Sequence, residues 1–381
     1  MSQFYQLGGA ESLQVELAEE LNKRGIHADI LSMYSESLNG ALKAKKNILE
    51  KGIPSVYFIG MQVHPSIYEL ILAVYKLRRI IIENKYDIIE TSLLSPTVIA
   101  SLSVIFTPVR HVAGIHQVFR KDRENSTQHR LWKCLAKLTF KTRYYAISDY
   151  VSESWVRYSG IPIQKITRIY NSIDNNYFVI KPDRYAVRKE LKLKKDACIA
   201  LYVGRLAAYK GIKVVLDALY PLIQKGDIYL VYAGLPDFNV NETKKDLQSM
   251  ECKIINSGLT SKVLFLGYRK DTARLMASAD ILVHPTTIEG FGLTLVESMA
   301  ARLQIVTSNV EAIPEILAGT NIITIPPDNP KILREAVIKT LHRSSKEKLD
   351  SLNIGFKRAC EFKIDRRVDK MIALFEDILS G

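Results

Sequence analysis

What most constrains the fold of this chain is an alternation that runs along its whole length. Short runs rich in Val, Ile and Tyr take turns with stretches whose apolar residues recur every three and four positions. The first kind suits buried strands and the second amphipathic helices, and their regular alternation is the pattern of parallel α/β sheets. Strands are predicted over 27–33, 56–60, 86–90, 109–115, 144–147 and 166–169, and helices over stretches such as 13–24 and 213–225. A polar stretch, 175–196, interrupts the series. It restarts with predicted strands at 198–203, 229–233, 263–266, 281–283, 305–307 and 322–325. Two Rossmann-like domains are therefore expected, as the 381-residue length also suggests, with a boundary near 175–182. The expected division is 1–176, 177–365 and a C-terminal helix, 366–381. That tail carries Val368, Met371, Ile372, Leu374, Phe375 and Leu379 at helical spacing and is expected to return to the N-terminal domain, docking across the domains.

One feature at the start departs from this plan. An open α/β domain ordinarily begins with a buried central strand that delivers its first glycine turn, yet only seven residues precede Gly8 and Gly9, and 4–7 is a poor strand. Either the strand is very short, or the natural chain begins upstream of Met1.

Composition removes several classes. Hydrophobic residues at 47% and charged residues at 24% exclude a disordered chain. No apolar run approaches the roughly 20 residues of a membrane span, and the start has neither the basic nor the apolar region of an export signal. A cytoplasmic protein is expected. The four cysteines are scattered, with no CxxC pair, so neither a structural zinc nor a disulfide framework is expected. With 53 Lys+Arg against 40 Asp+Glu, the net charge of +13 favours anionic partners.

Three segments could carry chemistry. Gly8-Gly9-Ala10-Glu11 opens a helix, where glycines admit a close ligand and the helix N-terminus offers free N–H groups; an ordinary loop would read the same way. Val203-Gly204-Arg205-Leu206 with Lys210-Gly211 follows a predicted strand. Two cations at a strand's carboxyl end can grip a diphosphate, though a solvated basic turn is the plain alternative. Pro285 to Glu297 also follows a strand. Gly290 and Gly292 there permit a tight turn whose amides, with the helix starting near Leu293, suit a phosphate. Glu289 and Glu297 are too far apart for a close carboxylate dyad and suit separate hydroxyl contacts on one ligand, unless they are merely a capping and a surface acid.

Taken in order, these segments resemble the retaining glycosyltransferases of family 4, which have the GT-B fold. The resemblance also includes His116, Ala146-Ile147-Ser148, Ile169 to Asp174, Leu266-Gly267-Tyr268, Ala279 to Pro285 and Ile313-Pro314-Glu315, and so covers almost the whole chain. It implies two Rossmann-like domains with sheets facing across a cleft. Arg205, Lys210 and the backbone of Gly290, Phe291, Gly292 and Leu293 would bind the donor diphosphate, with Gly9 approaching from the other domain. Glu289 would contact the transferred sugar, Glu297 the ribose, and Tyr268 and Arg269 the base. His116 would contact the donor sugar and position the reacting groups; a neutral histidine with only local hydrogen bonds is its alternative. His111 and His284 are expected to be structural. The chain departs from the family pattern at Ser172 and at Arg302-Leu303-Gln304.

The implied reaction is retaining transfer from a nucleotide-diphosphate sugar, a UDP-sugar favoured, by a same-face route in which the leaving phosphate takes the acceptor's proton. Since cations and a helix N-terminus can stabilise the leaving diphosphate, no cofactor and no obligatory metal are expected. The basic residues Arg130, Lys133, Lys137 and Lys141 fall on one stripe of a helix predicted over 128–141, which suits an anionic membrane surface or a solvated face. A lipid-linked or glycan acceptor would follow from the first. Nucleic acid is not expected, because no recognition motif accompanies the charge. Two other readings stand beside the transferase: a nucleotide-sugar epimerase, and a non-catalytic glycosyltransferase-like subunit.

Overall fold

The computed structural model describes residues 1–2, 9–38, 40–62, 65–119 and 142–380. The basic helix expected over 128–141 and the doubtful strand at 4–7 lie outside them, as does Gly8. The chain divides into two units, Met1–Ser172 with Ile364–Gly381, and Ile173–Lys363. The division falls after Ser172, a few residues before the polar stretch that was expected to mark it.

The first unit contains, in order, α1 (Gly9–Lys23), β1 (Ile30–Tyr34), α2 (Ala41–Glu50), β2 (Val56–Met61), α3 (Ile67–Glu83), β3 (Ile88–Ser92), α4 (Leu94–Ser103), β4 (Arg110–Ile115), β5 (Thr142–Ala146), α5 (Asp149–Ser159) and β6 (Ile166–Arg168). Its strands are all parallel and form two groups, β1–β2 and β3–β4–β5–β6. Met1 and Ser2 lie between the groups. Ser2 donates to Leu31 O at 3.1 Å and accepts from Met33 N at 3.1 Å, while Met1 O accepts from Ser92 N at 3.2 Å.

The second unit contains β7 (Ile199–Val203), α6 (Ile212–Lys225), β8 (Tyr229–Ala233), α7 (Asn241–Asn256), β9 (Val263–Phe265), β10 (Ile281–His284), α8 (Leu293–Ala300), β11 (Gln304–Ser308), β12 (Ile323–Ile325), α9 (Pro330–Leu341) and α10 (Ser345–Ala359). Its six strands are parallel in the order β12-β11-β10-β7-β8-β9. Every residue of β7, β10 and β11 is buried, which is why β7 and residues 281–283 of β10 read as unbroken apolar runs rather than alternating ones. All the strands predicted from periodicity are present in the two units, with ends moved by no more than three residues.

The last helix, α11 (Ile364–Ser380), belongs to the first unit. Val368, Met371, Leu374 and Ile378 form its buried face, packed with Leu17 and Leu21 of α1 and with Val112 and Tyr145 of the sheet. Leu379, expected on that face, is half exposed. Arg367 is buried with them and donates to Leu13 O at 2.7 Å.

Candidate active site

In the second unit the strand order reverses between β7 and β10, which are hydrogen-bonded neighbours. The loops leaving the carboxyl ends of two such strands diverge to opposite sides of the sheet and leave a crevice, where open α/β folds bind ligands. The loops concerned are 204–211 after β7 and 285–292 after β10, the two segments singled out in the sequence.

Backbone geometry ties these loops together. Gly211, at φ +72°, lies so close to Pro285 that a Cβ would fall 2.3 Å from the Pro285 carbonyl oxygen. Thr287 N donates to Tyr209 O at 2.8 Å and Thr287 Oγ1 to the same oxygen at 3.1 Å. Gly204 and Gly234 meet closely as well, since a Cβ on Gly234 would lie 1.8 Å from Gly204 O. Small residues are therefore dictated by contact between neighbouring strand ends, in addition to any ligand.

Lys210 and Glu289 face each other across this junction. Lys210 Nζ donates to Glu289 Oε2 at 2.7 Å, and each side chain is only 15% exposed. His284 donates through Nε2 to the same oxygen at 3.2 Å, while its Nδ1 is buried with no hydrogen-bond partner. Burial opposes a charge on Glu289, but the Lys210 ammonium and the imidazole hold its carboxyl far below the usual range. Burial keeps His284 itself neutral, overcoming the pull of the carboxylate. The Glu289 amide donates to Glu311 Oε2 at 2.6 Å, which orients the loop. His284 thus does more than end a strand, as its sequence context had suggested: the end of β10 points it at Glu289.

The remaining predicted residues are distributed around this pair. Arg205 reaches outward, 67% exposed, with Nη1 3.0 Å from Asp237 Oδ2. Gly292, at φ +92°, caps α8, and the Phe291 side chain is buried edge-on to Phe362 at 5.6 Å between centroids. Only the backbone at Phe291 can therefore serve a ligand. Gly290 precedes it on the same loop. Leu293 opens α8, and Glu297 follows one turn later, half-buried. Tyr268 is exposed, and Arg269 is held by Asp271 and Glu190, each at 2.7 Å. These two follow the edge strand β9, two strands from β7, so the sheet order sets them apart from the Lys210–Glu289 pair.

The first unit has a polar cluster of its own at the ends of β3, β4 and β5. His116 Nε2 lies 3.2 Å from both Tyr145 Oη and Ser92 Oγ. Tyr145 donates to Glu90 Oε1 at 2.7 Å, and Gln14 Nε2 donates to Tyr145 Oη at 3.3 Å. Burial and the nearby Arg367 charge lower His116 to about 3, so its ring is neutral. Gly114 makes the cluster possible, because a Cβ there would sit 2.5 Å from Tyr145 Oη. Gly9 begins α1 and is exposed. His111 is structural, enclosed by Thr91 at 2.9 Å and Thr142 at 3.0 Å.

Several participants carried no local signal in the sequence. Asp237, Glu311, Tyr145 and Glu90 are brought in by contacts across 22 to 55 residues. A glycine after β8 was the only nearby hint for Asp237.

Comparison with known proteins bears on both units. Residues 183–353 match the family described as glycosyl transferases group 1, and residues 7–177 match glycosyltransferase family 4. An uncharacterized glycosyltransferase, MJ1607, of Methanocaldococcus jannaschii is 30% identical over 201 residues, 51% of this chain and 50% of the relative. The chain spans about half the length of several of the curated relatives it matches. The UDP-Gal:alpha-D-GlcNAc-diphosphoundecaprenol alpha-1,3-galactosyltransferase of Escherichia coli is 22% identical over 81% of this chain and 79% of its own. Among solved structures, Alr3699/HepE of Anabaena in complex with UDP-glucose superposes with a TM-score of 0.82 at 22% identity, covering 98% of each chain.

Proposed function

Because the chain belongs to glycosyltransferase family 4 and has the GT-B fold, with parallel sheets in two Rossmann-like halves, we propose that it transfers a sugar from a nucleotide-diphosphate donor to a glycan or lipid-linked acceptor. The observation that carries this reading is the buried Lys210–Glu289–His284 group at the strand-order reversal of the second unit.

Each residue then has a chemical task. Lys210 and Arg205 supply positive charge to the donor diphosphate, and the amides of Gly290 to Leu293 at the start of α8 add hydrogen bonds and the helix dipole. That stabilises charge developing on the leaving oxygen without requiring a metal. Glu289, kept ionised, accepts hydrogen bonds from the sugar hydroxyls. Neutral His284 holds the carboxylate in place while leaving it able to accept. Glu297 is assigned to the ribose, and Tyr268 with Arg269 to the base. From the first unit, Gly9 is assigned to the donor phosphates and His116 to the donor sugar. A neutral imidazole can donate or accept there without adding charge near the reacting carbon. Transfer proceeds with retention, the leaving phosphate taking the acceptor's proton, and the donor is a UDP-sugar.

The acceptor is assigned to surface polysaccharide or lipopolysaccharide assembly; the diphosphoundecaprenol in the name of the E. coli relative supports a lipid-linked glycan, and the net charge of +13 an anionic surface. The protein would act in the cytoplasm at the inner membrane face. Arg130, Lys133, Lys137 and Lys141 support an anionic surface as partner. So does α3, where Ile67, Tyr68, Ile71 and Tyr75 are exposed along one helix face. No helix among the described residues is long and apolar enough to cross a membrane.

The test is incubation with UDP-glucose, UDP-galactose or GDP-mannose in EDTA, with and without a bacterial glycolipid extract. The proposal expects free UDP from one donor, accelerated by the extract, and a sugar linked with the donor's own anomeric configuration. Interconversion of the sugar without nucleotide release would indicate an epimerase instead.

A further inference from the structure

The polar cluster of the first unit has an internal proton order. Tyr145 has a single hydroxyl proton, and it goes to Glu90 Oε1 at 2.7 Å, an oxygen that only accepts when the carboxylate is ionised. Gln14 Nε2 fills one acceptor position of the Tyr145 oxygen at 3.3 Å. His116 Nε2 lies 3.2 Å from that same oxygen, which has no second proton to give. The favourable bond left is one in which Nε2–H donates, because a bare Nε2 would set its lone pair against one on Tyr145 Oη. Ser92 fits the same order. Its hydroxyl donates to Glu90 Oε1 at 3.4 Å, and its oxygen, 3.2 Å from Nε2, is left to accept from the imidazole.

Packing holds the two rings to this exchange. They meet edge-on, with centroids 5.7 Å apart at 85°. A Cβ on Gly114 would fall 2.5 Å from Tyr145 Oη and 2.8 Å from His116 Nε2, so the β4 backbone closes over both polar atoms. Burial raises the Glu90 carboxyl, and the hydroxyls of Tyr145 and Ser92 that donate to it act against that shift. Burial and the Arg367 charge keep the imidazole neutral, so a proton on Nε2 leaves a lone pair on Nδ1. That nitrogen makes no hydrogen bond among the described residues, and the His116 residue is only half-buried.

We propose that Glu90 is a positioning residue: acting through Tyr145, it holds His116 as the Nε2–H tautomer and reserves Nδ1 to accept a hydrogen bond from a hydroxyl of the sugar substrate. The use of that lone pair rests on the proposed transferase function, whereas the tautomer does not. A substrate carrying fluorine in place of that hydroxyl could only accept, and so would lose the bond.

The experiment uses protein labelled with nitrogen-15 histidine at about pH 8, above the carboxylate range. The His116 signals are identified by their loss in His116→Gln. Nitrogen spectra separate protonated from bare ring nitrogens, and the parent should show Nε2 protonated and Nδ1 bare. In Glu90→Met the Tyr145 proton loses its acceptor and turns to Nε2, so the pattern should invert to Nδ1–H. A parent with its proton on Nδ1, or an unchanged pattern in Glu90→Met, would overturn the proposal. Should Glu90→Met not fold, Tyr145→Phe removes the fixed acceptor instead; the two nitrogen signals should then converge, and parental separation would overturn the proposal. These spectra need no substrate, so failure of the parent to turn over any donor would count against the transferase reading and not against the tautomer. Where transfer is measured, Glu90→Met should lower kcat by about tenfold or more with parental UDP affinity. An unaltered kcat with an inverted ring would overturn the role of Nδ1.

Discussion

At Glu289 burial and charge compete, and the partners decide the outcome. A carboxylate this enclosed would ordinarily take up a proton, but Lys210 at 2.7 Å and His284 at 3.2 Å keep it ionised. Removing only the lysine leaves an uncompensated buried charge. Lys210→Ala should therefore cost about 3–5 kcal/mol of stability in denaturant unfolding, and adding Glu289→Gln should recover most of that. An unaltered midpoint for Lys210→Ala would mean that the pair is not coupled. His111 gives the pH counterpart. Burial lowers it from 6.5 to about 3, so between those values the unfolded chain binds a proton that the folded chain refuses. Its contribution makes stability fall as pH is lowered through that window, by up to about 1.4 kcal/mol per pH unit. In urea titrations from pH 7 to pH 4, His111→Asn should show a shallower decline than the parent protein, and an equally steep one would place the proton elsewhere.

Among the elements, the loops after β7 and β10 depend on each other. Gly211 is the pivot, because its positive φ and its contact with Pro285 both exclude a side chain. Gly211→Ala should lower stability by about 1–3 kcal/mol and, by shifting Lys210, weaken nucleotide binding beyond what that instability explains. Calorimetric titration of the folded variant checks the second effect; parental affinity would mean that the loop adjusts freely. Much of this element-level order was legible beforehand. Periodicity marks β7 and β10 because both are buried on two faces, and glycine with cations at their ends marks the loops. The edge strand β9 was legible too, but sequence gives no distance between its end and the β7 loop. The ion pairs that engage Arg269 come from Glu190 and Asp271 and have no motif.

For the whole molecule, chain order and spatial order part company in ways that local pattern does not record. The amphipathic tail announces that α11 must dock, and the structure places it against α1 and the first unit's sheet. Backbone hydrogen bonds place Met1 and Ser2 between β1 and β3, a pairing that nothing in the two residues themselves announces. Glu311 reaching Glu289, and Glu90 reaching Tyr145, follow only once the sheets are assembled. The family resemblance was legible because its motifs sit on strand ends, where the fold leaves glycines and charges little freedom.

On the proposed function, the second unit grips a nucleotide diphosphate at the junction of Lys210 and the 290–293 loop. The most direct test is to titrate UDP calorimetrically, in EDTA, into the parent protein and into the Lys210→Ala and Arg205→Ala variants. Metal-independent binding to the parent is expected, with an affinity loss of tenfold or more, about 1.4 kcal/mol, for each variant. Arg205 is exposed, so its variant reports on binding without a folding penalty. Undiminished binding by both folded variants would remove Lys210 and Arg205 from the diphosphate site.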